Sequence, residues 1–184
     1  EVDEGKALNL LEKACAGAED GELFLERSKS EALVLDDGRV KTASFDTSQG
    51  FGLRAVLGEV AGYAHSTEIS EAAMTRAVET ARLAVGAGGG TMAVGPKGTN
   101  TRLYEAIDPI ESAGFSAKLD ILKEIDAYAR ALDPRVVQVT ASVSATYQEV
   151  EILRVGGQRL TDVRPMTRLN VGVIVERDGR RERG

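Results

Sequence analysis

The chain has 184 residues and a net charge of −6, and its 42% apolar and 28% charged residues are typical of a globular domain. The acidic balance argues against nucleic acid as the main ligand, because phosphate binding needs a basic face. No apolar run reaches the length of a membrane span, and no secretory signal is visible. A single cysteine suits a reducing compartment, so we expect a cytoplasmic protein with no direct nucleic-acid or membrane partner.

The first half of the chain alternates helical and strand patterns. It predicts, in order, a helix over 2–17, strands over 22–27, 31–35 and 39–45, a strand pair within 49–65, and a helix from Ser70 to about Val85. Asp37-Gly38 and Gly58-Glu59 are typical of hairpin turns. Ser70 is well placed to cap the second helix.

A glycine-rich connection, residues 86–98, leads into the second half. It follows a helix rather than a strand, so it does not fit a dinucleotide- or phosphate-binding loop. The second half then predicts, in order, a helix capped by Ser116 and ending near Leu132, and strands over 137–147, 149–155, 158–163 and 169–175. The strict alternation of 137–147 indicates one buried and one wet face. A Gly156-Gly157 turn separates two of these strands.

The two halves share the order helix, strand, strand, glycine turn, strand, strand. Gly38 aligns with Gly157, and residues 51–55 align with 171–175, an offset of about 120 residues. We therefore predict an internal duplication of an α-β-β-β-β unit, with sub-lobes at about 1–88 and 100–184. Runs of antiparallel strands between helices predict an α+β fold, with mixed or antiparallel curved sheets and helices packed on one side.

Few residues could carry chemistry. Metal hydrolysis needs several converging ligands, but the chain holds one histidine, His65, and one cysteine, Cys15. No nucleophile motif is present, and no carboxylate pair stands out as acid and base. We therefore predict no catalytic residue and no metal ligand in this chain.

Two arginines interrupt apolar strands and are candidates for substrate contact. Arg54 lies within the GFGLRAV strand, and Arg164 precedes Pro165. One interpretation is that either guanidinium binds a peptide carboxylate or carbonyl at a cavity wall. The other is an ion pair or an edge charge that prevents aggregation, and edge charges are common. Both interpretations stay open.

Three segments carry a family resemblance. Residues 49–65 (QGFGLRAVLGEVAGYAH), 34–50 (VLDDGRVKTASFDTSQG) and 161–184 (TDVRPMTRLNVGVIVERDGRRERG) resemble the TldD/PmbA family, and the last is closer to the TldD branch. The resemblance covers essentially the whole chain but only the N-terminal part of the family. It implies that the zinc-binding His-Glu-x-x-x-His helix of TldD-type peptidases lies downstream of this chain.

The resemblance implies a role for the chain in a larger protein. The parent would be a zinc-dependent peptidase that degrades unfolded or extended peptides, as a homodimer or with a PmbA-type partner. This chain would wall the substrate cavity and be inactive alone, without a cofactor of its own. The alternatives are a non-catalytic PmbA-type partner subunit and a freestanding peptide-binding module. The family's older label, modulator of DNA gyrase, suggests nucleic acid, but the acidic charge speaks against direct contact.

Overall fold

Six strands form one sheet in the part of the chain that the computed structural model describes, residues 3–85 and 104–184 without the side chains of Glu4, Ala84 and Val85. Their bounds are β1 Asp20–Asp36, β2 Arg39–Leu57, β3 Val60–Ser66, β4 Val136–Arg154, β5 Arg159–Arg177 and β6 Arg180–Arg183. The order across the sheet is β3-β2-β1-β4-β5-β6. Adjacent strands run antiparallel, which confirms the predicted α+β class.

Three helices accompany the sheet in the same described ranges: α1 Glu4–Ala14, α2 Glu71–Val85 and α3 Phe115–Leu132. The Ser70 cap is confirmed, because Ser70 Oγ accepts a hydrogen bond from the Ala73 N–H at 3.1 Å. The Ser116 cap is wrong. Gly114 is the N-cap of α3, and its carbonyl accepts from the Lys118 N–H, so Ser116 already lies in the first turn.

The strands are longer than the sequence patterns predict. Residues 20–36, 39–57, 136–154 and 159–177 are each one continuous strand, although each reads as two shorter strands in the sequence. The polar residues between the apolar runs stay in the ladder because backbone hydrogen bonding does not depend on side-chain polarity. The predicted alternation in β4 is confirmed, with Val139, Ala141 and Ala145 buried.

Left-handed backbone conformations mark the hairpin turns. Asp37 and Gly38 have φ values of 53° and 74°, and Asp178 and Gly179 have 52° and 77°. Two consecutive positive φ values match the right-handed twist of paired strands, which explains the Asp-Gly sequence at both turns. The Asp37-Gly38 turn is as predicted, whereas the short β6 after Asp178-Gly179 is not anticipated by the sequence patterns.

The order of elements repeats along the chain. The helix and three strands α1-β1-β2-β3 recur as α3-β4-β5-β6, and equivalent strands occupy equivalent places from the two edges of the sheet. The β2–β3 hairpin closes with Leu57 opposite Val60, and the β5–β6 hairpin closes with Arg177 opposite Arg180, an offset of 120. Because shorter predicted strands merge, the repeated unit contains three strands. A duplication as its origin stays a prediction.

The described residues fall into two compact units, each with its own apolar core. Unit 1 comprises those within Glu1–Ser28, Ser48–Leu103 and Gln148–Val163, and unit 2 comprises those within Lys29–Thr47, Tyr104–Tyr147 and Arg164–Gly184. The core of unit 1 includes buried residues of α1 and α2, whereas that of unit 2 centres on Leu33, Leu35, Leu122 and Ala141. The predicted connection 86–98 lies outside the described residues, so the sub-lobe boundary stays a prediction.

Candidate functional site

Unit 1 contains an open cleft of about 370 Å³. It lies among the end of β1, the end of β4, the start of β5 and one residue or more from the first two helices. Its floor is apolar and is formed by Ala7, Leu25, Ile69, Met74, Val150, Leu153 and Val163. A cleft of this size with an apolar floor is large enough for one or two side chains of a bound molecule.

Helix packing fixes the floor of the cleft. Ala7 on α1 and Met74 on α2 are buried in the unit 1 core, and Ile69 packs against it from the segment before α2. The Ser70 cap sets where α2 begins, because Ser70 Oγ and its carbonyl accept from Ala73 and Met74. The floor is therefore held by the fold rather than by a loop.

The rim of the cleft is charged and predominantly acidic. It carries four carboxylates, two guanidinium groups and one hydroxyl, from Glu26, Arg27, Glu149, Glu151, Arg159, Thr161 and Asp162. Arg159 Nε donates to Glu151 Oε1 at 2.6 Å, which joins β5 to β4 at the rim. The remaining carboxylates outnumber the remaining guanidinium group, so the rim favours a cation.

The two arginines singled out in the sequence do not line this cleft. Arg54 lies on β2 in unit 1, is 46% exposed, and is 3.7 Å from the Glu22 carboxylate. Arg164 is an exposed residue of β5 in unit 2 and also has an interaction partner. A substrate contact by either residue stays a prediction.

Sequence reasoning missed the residues that do line the cleft. They come from stretches far apart in the chain, and none of the stretches carries a motif. Their apolar members fit ordinary core periodicity, as for Ala7 and Met74. Only the folded chain brings their side chains together.

The residues of this chain do not fit a catalytic zinc site. His65 is exposed on β3 and stacks on Tyr63 with ring centroids 5.7 Å apart. Cys15 is buried, and burial together with the nearby Asp20 carboxylate raises the pKa of its thiol to about 11, so it stays protonated at neutral pH. In residues 3–85 and 104–184, no three His, Cys, Asp or Glu side chains converge as zinc ligands would.

The basic C-terminal end is already paired with acidic neighbours. Arg181 donates to Glu176 at 2.7 Å, and Arg180 donates to Glu182 at 2.7 Å. These side chains are mostly exposed, as expected of a solvated face. None of the helices in the described part of the chain has the length and apolar character that a membrane span requires.

Comparison with protein families places the chain. The model of PmbA/TldA metallopeptidase domain 1 matches residues 21–85, and the model of the PmbA/TldA metallopeptidase central domain matches residues 108–184. The chain belongs to the PmbA/TldD metallopeptidase family. The two matched regions correspond to the two repeats of the PmbA/TldD chain, the first around β1–β3 and the second around α3 and β4–β6.

Curated relatives carry the TldD name. The chain is 37% identical over 167 residues to the metalloprotease TldD homolog of Haemophilus influenzae, which covers 89% of the chain and 34% of that relative. It is 31% identical over 176 residues to the corresponding protein of Buchnera aphidicola, which covers 95% of the chain and 36% of the relative. The chain thus spans about a third of the length of these relatives.

Solved structures of the family share the fold. A candidate modulator of DNA gyrase from Thermotoga maritima has a TM-score of 0.79 at 17% identity, over 98% of this chain and 41% of that protein. TldE from Thermococcus kodakarensis has a TM-score of 0.71 at 15% identity, over 96% of this chain and 40% of that protein. At such identities the likeness shows the fold alone.

Proposed function

We propose that this chain is the N-terminal, substrate-binding part of a TldD-like, zinc-dependent peptidase that degrades unfolded or extended peptides. The observation that carries the proposal is the 37% identity, over 89% of the chain, to a protein named a metalloprotease TldD homolog. The zinc and the catalytic groups would come from a part of the parent protein outside these 184 residues, because the histidine and cysteine of this chain do not fit a zinc site.

The contribution of this chain would be to bind and present the peptide. Between residues 159 and 163, β5 is paired with β4 on one side, and no described strand pairs with its other edge, because β6 pairs only with Ile174–Arg177. An extended peptide could add to such an edge by main-chain hydrogen bonds. Thr161 and Asp162, on the same stretch, line the cleft, so a side chain of the added strand could enter it.

The test compares this chain with the protein extended through the predicted downstream His-Glu-x-x-x-His segment. We expect stoichiometric zinc and chelator-sensitive cleavage of a quenched-fluorescent flexible peptide in the extended protein only. The matched control is the extended protein with both histidines of that segment replaced by alanine. Cleavage by the 184-residue chain itself would contradict the proposal.

Zinc and cleavage missing from the extended protein would favour the non-catalytic PmbA-type subunit instead. The TldD name of the curated relatives argues for the catalytic branch. A cytoplasmic location and assembly as a homodimer or with a PmbA-type partner belong to the same proposal. Size-exclusion chromatography with light scattering on the extended protein, alone and mixed with a PmbA-type protein, tests the assembly.

A further inference from the structure

The unit 1 cleft has two chemically different parts. The floor is closed by side chains that are almost fully buried, with Met74 at 2% exposure, Val150 at 4% and Leu153 at 2%. Such a floor offers dispersion contacts and no hydrogen-bonding group, so it suits an aliphatic or aromatic side chain. The charged groups are confined to the rim.

The rim has an excess of negative charge that the protein does not neutralise. Arg159 is held by Glu151 at 2.6 Å, so this pair contributes little net charge. Glu26 and Glu149 make no hydrogen bond or ion pair with any residue of the described ranges. They stand with Asp162 against one further cation, Arg27. A positive group of the ligand at this rim would therefore meet complementary charge.

We propose that the unit 1 cleft is a binding subsite for an extended peptide segment in which an apolar residue is flanked by lysine or arginine. The apolar side chain would rest on the floor and the basic side chain would meet Glu26 and Glu149. The open edge of β5 at 159–163 favours a peptide over a small cation, since it offers main-chain donors and acceptors beside the cleft. The inference deepens the proposed function and rests on it for the nature of the substrate.

The first experiment measures charge selectivity by fluorescence anisotropy. The probes are labelled ten-residue Gly/Ser peptides with a central Lys-Leu-Lys, Gln-Leu-Gln or Glu-Leu-Glu. We expect the lysine peptide to bind about tenfold more tightly than the glutamate peptide at low salt, with the difference shrinking as salt is added. Equal binding of the two peptides, or no binding of either, would overturn the proposal.

Matched variants locate the selectivity. Glu26→Gln with Glu149→Gln removes two charges at the rim, and should abolish most of the preference for the lysine peptide. Glu59→Gln with Glu79→Gln makes the same change in net charge at exposed positions outside the cleft, and should leave the preference intact. A preference that survives the first pair, or disappears equally in both pairs, would show that the cleft does not read the charge.

A steric variant tests the position of the site independently. Thr161→Trp places a bulky side chain at the rim from an exposed position on β5, and should weaken binding of all three peptides. Thr167→Trp is the control, because Thr167 is exposed on the same strand and does not line the cleft. Circular dichroism melts confirm that each variant is folded. Unchanged binding by Thr161→Trp would refute the site.

The outcomes separate this inference from the proposed function. Charge-selective binding at the cleft in an extended protein without zinc or cleavage would leave the subsite standing and refute the peptidase. Chelator-sensitive cleavage in a protein whose cleft variants bind all peptides like the parent would do the reverse.

Discussion

Lys118 donates a hydrogen bond of 2.7 Å to the Glu31 carboxylate, and both side chains are largely removed from water, at 7% and 17% exposure. The same ammonium also donates to the Ile110 carbonyl at 2.8 Å. One side chain of α3 thus satisfies polar groups on β1 and on the segment before the helix. Within unit 2 this contact ties three separate stretches of chain together.

Replacing Lys118 should destabilise the protein strongly. Lys118→Met leaves the Glu31 carboxylate and the Ile110 carbonyl without their donor, and we expect a loss of about 3 kcal/mol in the free energy of unfolding. Lys123→Met is the control, because Lys123 pairs with Asp120 on the same helix with both side chains more than half exposed. That variant should cost less than ~0.5 kcal/mol. Urea unfolding measures both, and similar losses would contradict the assigned role.

Asp36 should make stability depend on pH in acid. Hydrogen bonds from Gln138 at 2.9 Å, Thr140 at 2.7 Å and Lys41 at 3.2 Å lower the pKa of the Asp36 carboxyl to about 2. The unfolded chain then binds more protons than the folded chain between about pH 4 and pH 2. The stabilisation from Asp36 is therefore complete above this window and is lost as the pH falls through it.

Two measurements test the Asp36 prediction. The difference in unfolding free energy between the parent and Asp36→Asn should shrink as the pH falls from about 5 to 2. Carboxyl ¹³C chemical shifts should show the Asp36 pKa rising toward its ordinary value in Gln138→Ala with Thr140→Val, because two of the three donors are gone. An unchanged pKa in that double variant would show that the assigned hydrogen bonds are not its cause.

Gly21 is required by the position of Cys15. A Cβ at residue 21 would overlap Cys15 Sγ and would lie 3.1 Å from the Arg54 carbonyl oxygen. We expect Gly21→Ala to cost about 1–3 kcal/mol by overpacking. In a double-mutant cycle, Cys15→Ala should offset part of that cost, since it removes the overlapping sulfur. Gly114→Ala is the control because no atom lies within 4 Å of its Cβ, and additive effects of residues 15 and 21 would contradict the clash.

Short-range patterns predicted much of the fold. The Asp37-Gly38 turn follows from two residues that tolerate positive φ, and the start of α2 follows from the Ser70 hydroxyl next to free N–H groups. The alternation in β4 follows from the two-residue period of a strand. The same local rules failed at α3, where Gly114 caps the helix without a side chain and so leaves little trace in the sequence.

By itself, the sequence determined the α+β class, the family, the order of its helices and the main turns, because these depend on neighbouring residues or on matches along the chain. Only the tertiary structure decided that the shorter strand patterns merge into long strands, that Lys118 is buried against Glu31, and that the cleft has an acidic rim over an apolar floor. The physical reason is that burial and local charge depend on side chains far apart in the chain. Glu26 and Glu149 are 123 positions apart in sequence, and pairing of strands brings them to one rim.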